Sequence, residues 1–252
     1  MPLDPLRIGE ALSVAPIVLQ RTSSTNDALR ALALSGAPHG SVVLAEHQEA
    51  GRGRQGRSWQ SPPGQDLLLS VLVRRPLAAP RVPLLCLAAA VAVAETVAPW
   101  IDPGEPGIKW PNDVLAPDGR KLAGILAQAE WERGALAFAV LGIGLNVGSP
   151  PPLPTAAALS ELTPRALDRS QLAGALIQRV LAQVEDLVGG SGGVLQRWRS
   201  HSATLGRRVR IGSIEGRAVS LDDDGALRVI ADDGIEHRIR AGDVEMIADL
   251  GR

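Results

Sequence analysis

The chain has 252 residues, which at roughly 150 residues per domain allows one large domain or a large domain with a small companion. Its 26 basic and 27 acidic residues leave a net charge of -1, which excludes the whole-chain field of a nucleic-acid or anionic-membrane binder. Hydrophobic residues reach 45% but aromatics only 2%, so Leu, Val, Ile and Ala must fill the core and each of the five tryptophans needs its own reason.

The N-terminal stretch MPLDPLRIGE has no basic run followed by an apolar one, so no export signal is expected and a cytoplasmic location is. A helix of about three turns is predicted from Asn26 to Leu34, with Thr25 as cap, Asp27 in the first turn and Gly36 as stop. Residues 41 to 46 and 67 to 73 are apolar or β-branched runs bounded by Gly and Pro and predict buried strands. Between them, residues 48 to 66 form a polar loop without apolar periodicity. The apolar run 82 to 94 falls short of the roughly 20 residues that span a bilayer, and with Pro83 in its first turn it predicts a buried helix over 82 to 97. Its Cys86 reads as a buried, inert thiol, and four dispersed histidines with one cysteine offer no metal-ligand spacing.

A short strand at 108 to 110 and a turn at Ala116-Pro117-Asp118-Gly119 lead to two longer strands, 122 to 131 and 136 to 143, joined as a hairpin by Glu132-Arg133-Gly134. The proline-rich stretch 149 to 154 has a linker's composition, but the helices predicted at 170 to 188 and 194 to 201 need the preceding sheet to cover their apolar faces. From Thr204 onward, short strands separated by Asp222-Asp223-Asp224-Gly225 and Asp232-Asp233-Gly234 predict a small barrel. The class is α+β, divided into residues 1–203 and 204–252.

Chemistry concentrates in four segments. Gly51-Arg52-Gly53-Arg54-Gln55-Gly56-Arg57-Ser58-Trp59 contains a formal GxGxxG, yet no helix follows, so a dinucleotide fold is not expected. What remains is a loop able to bring backbone and three arginines close to carboxylate or phosphate oxygens. Ile108-Lys109-Trp110-Pro111-Asn112-Asp113 sets a cation, an aromatic and an amide beside a strand end, while Arg120-Lys121-Leu122-Ala123-Gly124 and Gly142-Ile143-Gly144-Leu145-Asn146 set a cation or an amide near glycine at a strand end. Together they place five or more cations near glycines with few compensating acids, the pattern of a site for an anionic small molecule.

Taken in order with Ser23-Ser24-Thr25-Asn26 and Glu46-His47-Gln48, these segments resemble the biotin–protein ligase family over about residues 21 to 252. The resemblance implies a mixed β-sheet with packed helices, related to class II aminoacyl-tRNA synthetases, followed by an SH3-like barrel. It implies activation of biotin by ATP with Mg2+ to biotinyl-5′-AMP, and transfer of biotin to a lysine of a biotin carboxyl carrier protein. Carried over by position, Ser24, Thr25, Asn26 and Gln48 would bind the biotin head, Arg52, Gly53, Arg54, Lys121 and Gly124 would line the biotin site, and Arg52, Arg54, Arg57, Trp59, Lys109, Asn112, Lys121 and Asn146 would meet ATP or the adenylate. Arg54, Lys121 and Lys109 would act at the anionic centre. About 20 residues precede Ser23, too few for the DNA-binding domain that some members carry, so the ligase-only form is expected, with no nucleic-acid or membrane partner. A homodimer stays open. So do two other readings: a lipoate or octanoyl-type enzyme of the same fold, and a non-catalytic biotin-sensing module.

Overall fold

In the computed structural model, which describes residues 1–10, 12–190 and 192–248, two β-sheets organise the chain. The order of elements is α1 (Pro5–Gly9), β1 (Ile17–Leu19), α2 (Thr25–Leu34), β2 (Val42–Ala45), β3 (Leu67–Val73), α3 (Leu84–Val97), β4 (Gly107–Lys109), β5 (Asp113–Leu115), β6 (Lys121–Glu132), β7 (Ala135–Leu145), α4 (Arg169–Gly189) and α5 (Gly193–Ser200). Its seven strands lie in the order β1-β2-β3-β7-β6-β5-β4. The β1–β2 pair is parallel and the others are antiparallel, so the sheet is mixed. The β6–β7 hairpin turns on two residues, Arg133 at φ 49 and Gly134 at φ 81, the positive-φ pair that matches strand twist.

Alternation along the strands gives the sheet two unequal faces. Leu69, Val71, Leu141 and Leu145 point into the large core under α3, α4 and α5. α3 is buried almost all round, and its alanines let sheet and neighbouring helices close on it. The longer helical stretch Ala79–Trp100 has the length and hydropathy to cross a membrane, but 67% of its apolar window is buried inside the protein, as befits a core helix. On the other face, Val43, Leu72 and Val140 pack against Leu29 and Ala33 of α2 in a small cluster. α2 covers only part of that face. Beside it, Ser70 pairs with Gly142 and Gly144 pairs with Gly124, leaving a strip of strand with little side chain above it.

The second sheet comprises β8 (Arg208–Ile211), β9 (Ile214–Leu221), β10 (Leu227–Ala231), β11 (Glu236–Ile239) and β12 (Glu245–Met246), antiparallel in the order β11-β10-β9-β8-β12. The segment predicted as 204–252 runs past these strands, and its residues 249–252 lie outside the described residues. Trp110 joins the two sheets: it is 2% exposed, its indole N–H donates to the Gly225 carbonyl at 3.0 Å, and its backbone N–H donates to Thr204 Oγ1 at 2.9 Å.

Several sequence expectations shift. Thr25 is the first residue of α2 and Ser24, in extended conformation, is its cap; the Ser24 side chain makes no capping bond. α1, β1 and β5 are three to five residues long and carry too little periodicity to be read from sequence. Of the tryptophans, Trp198 is fully buried and Trp131 is 46% exposed on the β6–β7 hairpin. Trp110, inside one of the four chemistry-bearing segments, packs between the sheets.

Candidate active site

The strip beside α2 is roofed by the glycine-arginine loop, and together they enclose a cavity of about 130 Å³. Its lining includes Ser24, Thr25 and Asn26 from the start of α2, Gln48, Arg52, Gly53, Arg54, Arg57 and Trp59 from the loop, Asn112, and Lys121 and Gly124 from β6. A second cavity of about 530 Å³ lies alongside, with Arg57, Trp59, Lys121, Asn146, Leu153 and Thr155 in its lining. Arg57, Ser58, Trp59 and Lys121 are common to both, with Lys121 Nζ 5.5 Å from the centre of the Trp59 indole ring.

At one end the groups are neutral. Gln48 Oε1 accepts from the Thr25 backbone N–H at 2.7 Å and from the Thr25 hydroxyl at 3.0 Å, so a side chain from the loop satisfies a donor that the start of α2 leaves open. Ser70, fully buried on β3, donates to Asn26 Oδ1 at 2.6 Å and lies 2.8 Å from Thr25 Oγ1. Asn26 Nδ2 donates to Gln128 Oε1 at 2.7 Å. The Asn26 amide is therefore engaged on both sides, and Ser70 and Gln128, which sequence reasoning missed, hold it there. Neither carries a local signal, because each meets Asn26 only where α2 packs on the sheet, 44 and 102 residues away in sequence.

The floor is glycine. A Cβ on Gly144 would stand 2.7 Å from Trp59 Cζ2 and Nε1, and one on Gly142 would stand 2.9 Å from Asn26 Cγ. On Gly124 it would meet Trp59 Cζ3 at 3.0 Å and Lys121 Nζ at 3.1 Å. Only residues without a side chain let the indole lie on the sheet here. The indole N–H is buried without a hydrogen-bond partner among the described residues, as is Asn146 Oδ1, whose Nδ2 donates to the Ala157 carbonyl at 2.9 Å. Two unmatched polar atoms on one cavity wall are what a ligand with its own donors and acceptors would satisfy.

The other end is cationic. The loop folds back on itself, the Gly53 N–H donating to the Arg57 carbonyl at 2.6 Å and the Trp59 N–H to the Gly51 carbonyl at 2.9 Å. A turn at Arg54–Gly56, with Gln55 at φ 55, aims Arg54 inward. Arg54 Nη1 donates to Asn112 Oδ1 at 3.0 Å and to the carbonyl of Gly242, between β11 and β12, at 3.3 Å. The expectation of few compensating acids fails. Arg52 pairs with Asp27 of α2, Lys121 Nζ with Asp113 Oδ1 at 2.7 Å, and Arg57 with Asp243 Oδ1 at 2.9 Å. Asp27 and Asp243 come from segments distant in sequence from their partners, whereas Asp113 lies eight residues before Lys121, and a bound anion would compete with these acids or share their cations. Lys109 lines neither cavity; it stands on edge strand β4, paired in register with Asp113.

Comparison with known proteins agrees with this layout. Residues 18–146 match the biotin/lipoate A/B protein ligase family, and residues 204–246 match the biotin protein ligase C terminal domain. The chain is 42% identical over 225 residues to a biotin–acetyl-CoA-carboxylase ligase of Mycobacterium tuberculosis, covering 83% of this chain and 81% of that protein. It is 34% identical over 234 residues to the ligase of the same name from Paracoccus denitrificans, covering 83% and 92%. Among solved structures, the biotin protein ligase from Aquifex aeolicus in complex with biotin and ATP superposes with a TM-score of 0.76 at 25% identity, covering 92% of this chain and 98% of that one. This chain belongs to the biotin/lipoate A/B protein ligase family and carries that family's biotin protein ligase C terminal domain.

Proposed function

We propose that this chain is a biotin–protein ligase. It activates biotin with MgATP, giving biotinyl-5′-AMP and pyrophosphate, and passes the biotinyl group to one lysine of a biotin carboxyl carrier domain. The observation that carries this reading is a single glycine-floored groove with neutral donors and acceptors at one end and Arg54 and Lys121 at the other.

The chemistry follows from those two ends. Biotin's ureido group offers one carbonyl acceptor and two N–H donors, which Ser24, Thr25 and Gln48 can match. A neutral hydrogen bond contributes only about 1 kcal/mol net, but one left unmade in a closed site costs more, so this end selects its ligand. At the other end the biotin carboxylate attacks the α-phosphorus of ATP, the bond to the bridging oxygen of the β-phosphate breaks, and pyrophosphate leaves with the electron pair. Two anions must approach, so the protein's task is fixed positive charge and alignment. We assign that task to Arg54 and Lys121 and leave Lys109 out of it. Trp59, Asn112 and Asn146 would position the adenylate, with Mg2+ entering as part of the nucleotide substrate. In the second step the carrier lysine attacks the mixed anhydride and AMP departs, so the enzyme needs no nucleophile of its own.

The carrier needs an open approach, and the edge of β6 supplies one. β5 pairs with β6 only as far as Gly124, beyond which half-buried Ala127 and Ala129 and exposed Trp131 follow along an edge with no strand beside it among the described residues. The direct test of activation is biotin-dependent exchange of labelled pyrophosphate into ATP. Exchange that needs biotin supports the reading, and binding of biotin without exchange replaces it with a sensing module.

A further inference from the structure

Both ends of the ligand loop are tied to one buried guanidinium, and we propose that Arg169, the first residue of α4, is a positioning residue for the ligase reaction. The inference rests on the ligase reading and adds to it a residue on the far side of the sheet, which touches none of the cavity lining.

Glu46 directly follows β2 and Asp66 directly precedes β3, so these two residues are where the loop leaves the sheet and returns to it. Arg169, 8% exposed, reaches both. Its Nη2 donates to Glu46 Oε2 at 2.8 Å and to the Met1 carbonyl at 2.7 Å, and its Nη1 donates to the Asp66 carbonyl at 3.1 Å. The second Glu46 oxygen accepts from the Leu3 N–H at 2.5 Å. Both Glu46 oxygens and both terminal nitrogens of Arg169 thus have partners, which is what a buried ion pair needs to persist.

Asp66 extends the restraint into the site. Its Oδ1 accepts from the Val147 N–H at 2.8 Å and its Oδ2 from the Ser61 hydroxyl at 2.6 Å. Val147 follows Asn146, Ser61 lies two residues beyond Trp59, and Gln48 lies two residues beyond Glu46. One guanidinium thus stands behind three segments that reach the cavities. The ladder holds Ala45 against Leu68, and backbone bonds continue past it, the Glu46 N–H donating to the Leu19 carbonyl and the Gly64 N–H to the Glu46 carbonyl, each at 2.9 Å. To these the planar fork of Arg169 adds a side-chain tie that bonds Glu46 and Asp66 at once. Lysine would keep the charge without the fork.

The test compares wild type with Arg169→Lys and Glu46→Gln in three measurements: steady-state kinetics with biotin and MgATP, the rate at which biotinyl-5′-AMP is released, and hydrogen exchange of residues 48 to 61 without ligand. The expected result is a KM for biotin raised about tenfold with kcat changed less than about twofold. Adenylate release and exchange in residues 48 to 61 should both be faster, while β9 and β10 exchange as in wild type. A merely structural role would lower the melting temperature and raise exchange throughout with KM unchanged; that pattern, or unchanged exchange in residues 48 to 61, overturns the assignment. Should Arg169→Lys fail to fold, Glu46→Gln carries the same comparison. A wild-type chain inactive in pyrophosphate exchange would overturn the ligase reading instead, and the exchange of residues 48 to 61 would still decide for or against the tie.

Discussion

Asp243, just ahead of the last strand of the second sheet, accepts a hydrogen bond from Arg57 Nη2 of the ligand loop at 2.9 Å and stands 4.0 Å from Arg54 Nη1. The contact joins the segment matched as the C-terminal domain to the arginines proposed to meet the substrate anions. The loop is glycine-rich, so ordering it costs backbone entropy, and a tether that holds it near its working position reduces that cost on binding. Asp243→Ala should therefore raise the KM for ATP about threefold to tenfold, while stability changes by less than about 1 kcal/mol because the pair is largely exposed. Initial rates against ATP and a thermal melt check both halves, and an unchanged KM would show that the tether is idle.

Lys121→Ala and Arg54→Ala each remove a cation from the proposed anionic centre. Each should lower biotin-dependent pyrophosphate exchange by at least about a hundredfold, the scale seen when one preorganised charge-stabilising donor is lost. Neither residue is in the apolar core, so circular dichroism and melting should stay close to wild type. Exchange at the wild-type rate in both variants would remove these residues from the mechanism.

Gly144→Ala separates the site from the fold. Gly144 lies in β7 without a positive φ, so alanine fits its backbone and should be neutral or stabilising by up to about 1 kcal/mol. The new Cβ would overlap Trp59 Cε2, forcing the ring off the sheet. The expected outcome is an unchanged or higher melting temperature together with a KM for biotin raised at least about tenfold. A stable variant with an unaltered KM would show that the indole's seat on the glycines does not matter for binding.

Asp66 supplies the pH prediction. Burial pushes its carboxyl above the usual carboxylate range, against the opposing pull of the Ser61 hydroxyl, the Val147 N–H and the Arg169 charge. An acid whose pKa is higher in the folded chain stabilises the fold below its unfolded pKa and loses that contribution as pH rises through the folded pKa. Asp66→Asn does not titrate, and its amide can still accept from Val147 and donate to Ser61. The stability difference should therefore move in the variant's favour between about pH 3 and about pH 7, on either side of an ordinary carboxylate. Urea midpoints at the two pH values measure it, and an equal difference at both would contradict the sign.

The long elements were legible because their periodicity is long. β3 was read as residues 67 to 73 and lies there, and the helix read at 170 to 188 is α4, which runs one residue further at each end. The hairpin strands extend a residue or two beyond the expected ends, because the Arg133-Gly134 turn allows pairing up to its edge. The neutral end of the cavity and the arginine loop were legible as motifs. What organises them was not. Ser70, Gln128, Asp243 and Arg169 reach their partners between distant segments, and no short window of sequence contains both members of any such pair, whereas Asp113 and Lys121 lie eight residues apart and are brought together by the β5–β6 pairing. Trp110 shows the converse, since a residue inside a ligand-site motif turns out to pack one sheet against the other.

Activation of biotin and its transfer to a carrier lysine are tested together by incubating purified protein with labelled biotin, MgATP and a biotin carboxyl carrier domain. Label should appear on a single carrier lysine, dependent on ATP and lost in Lys121→Ala. Label absent from the carrier under conditions where the chain binds biotin would contradict the ligase reading.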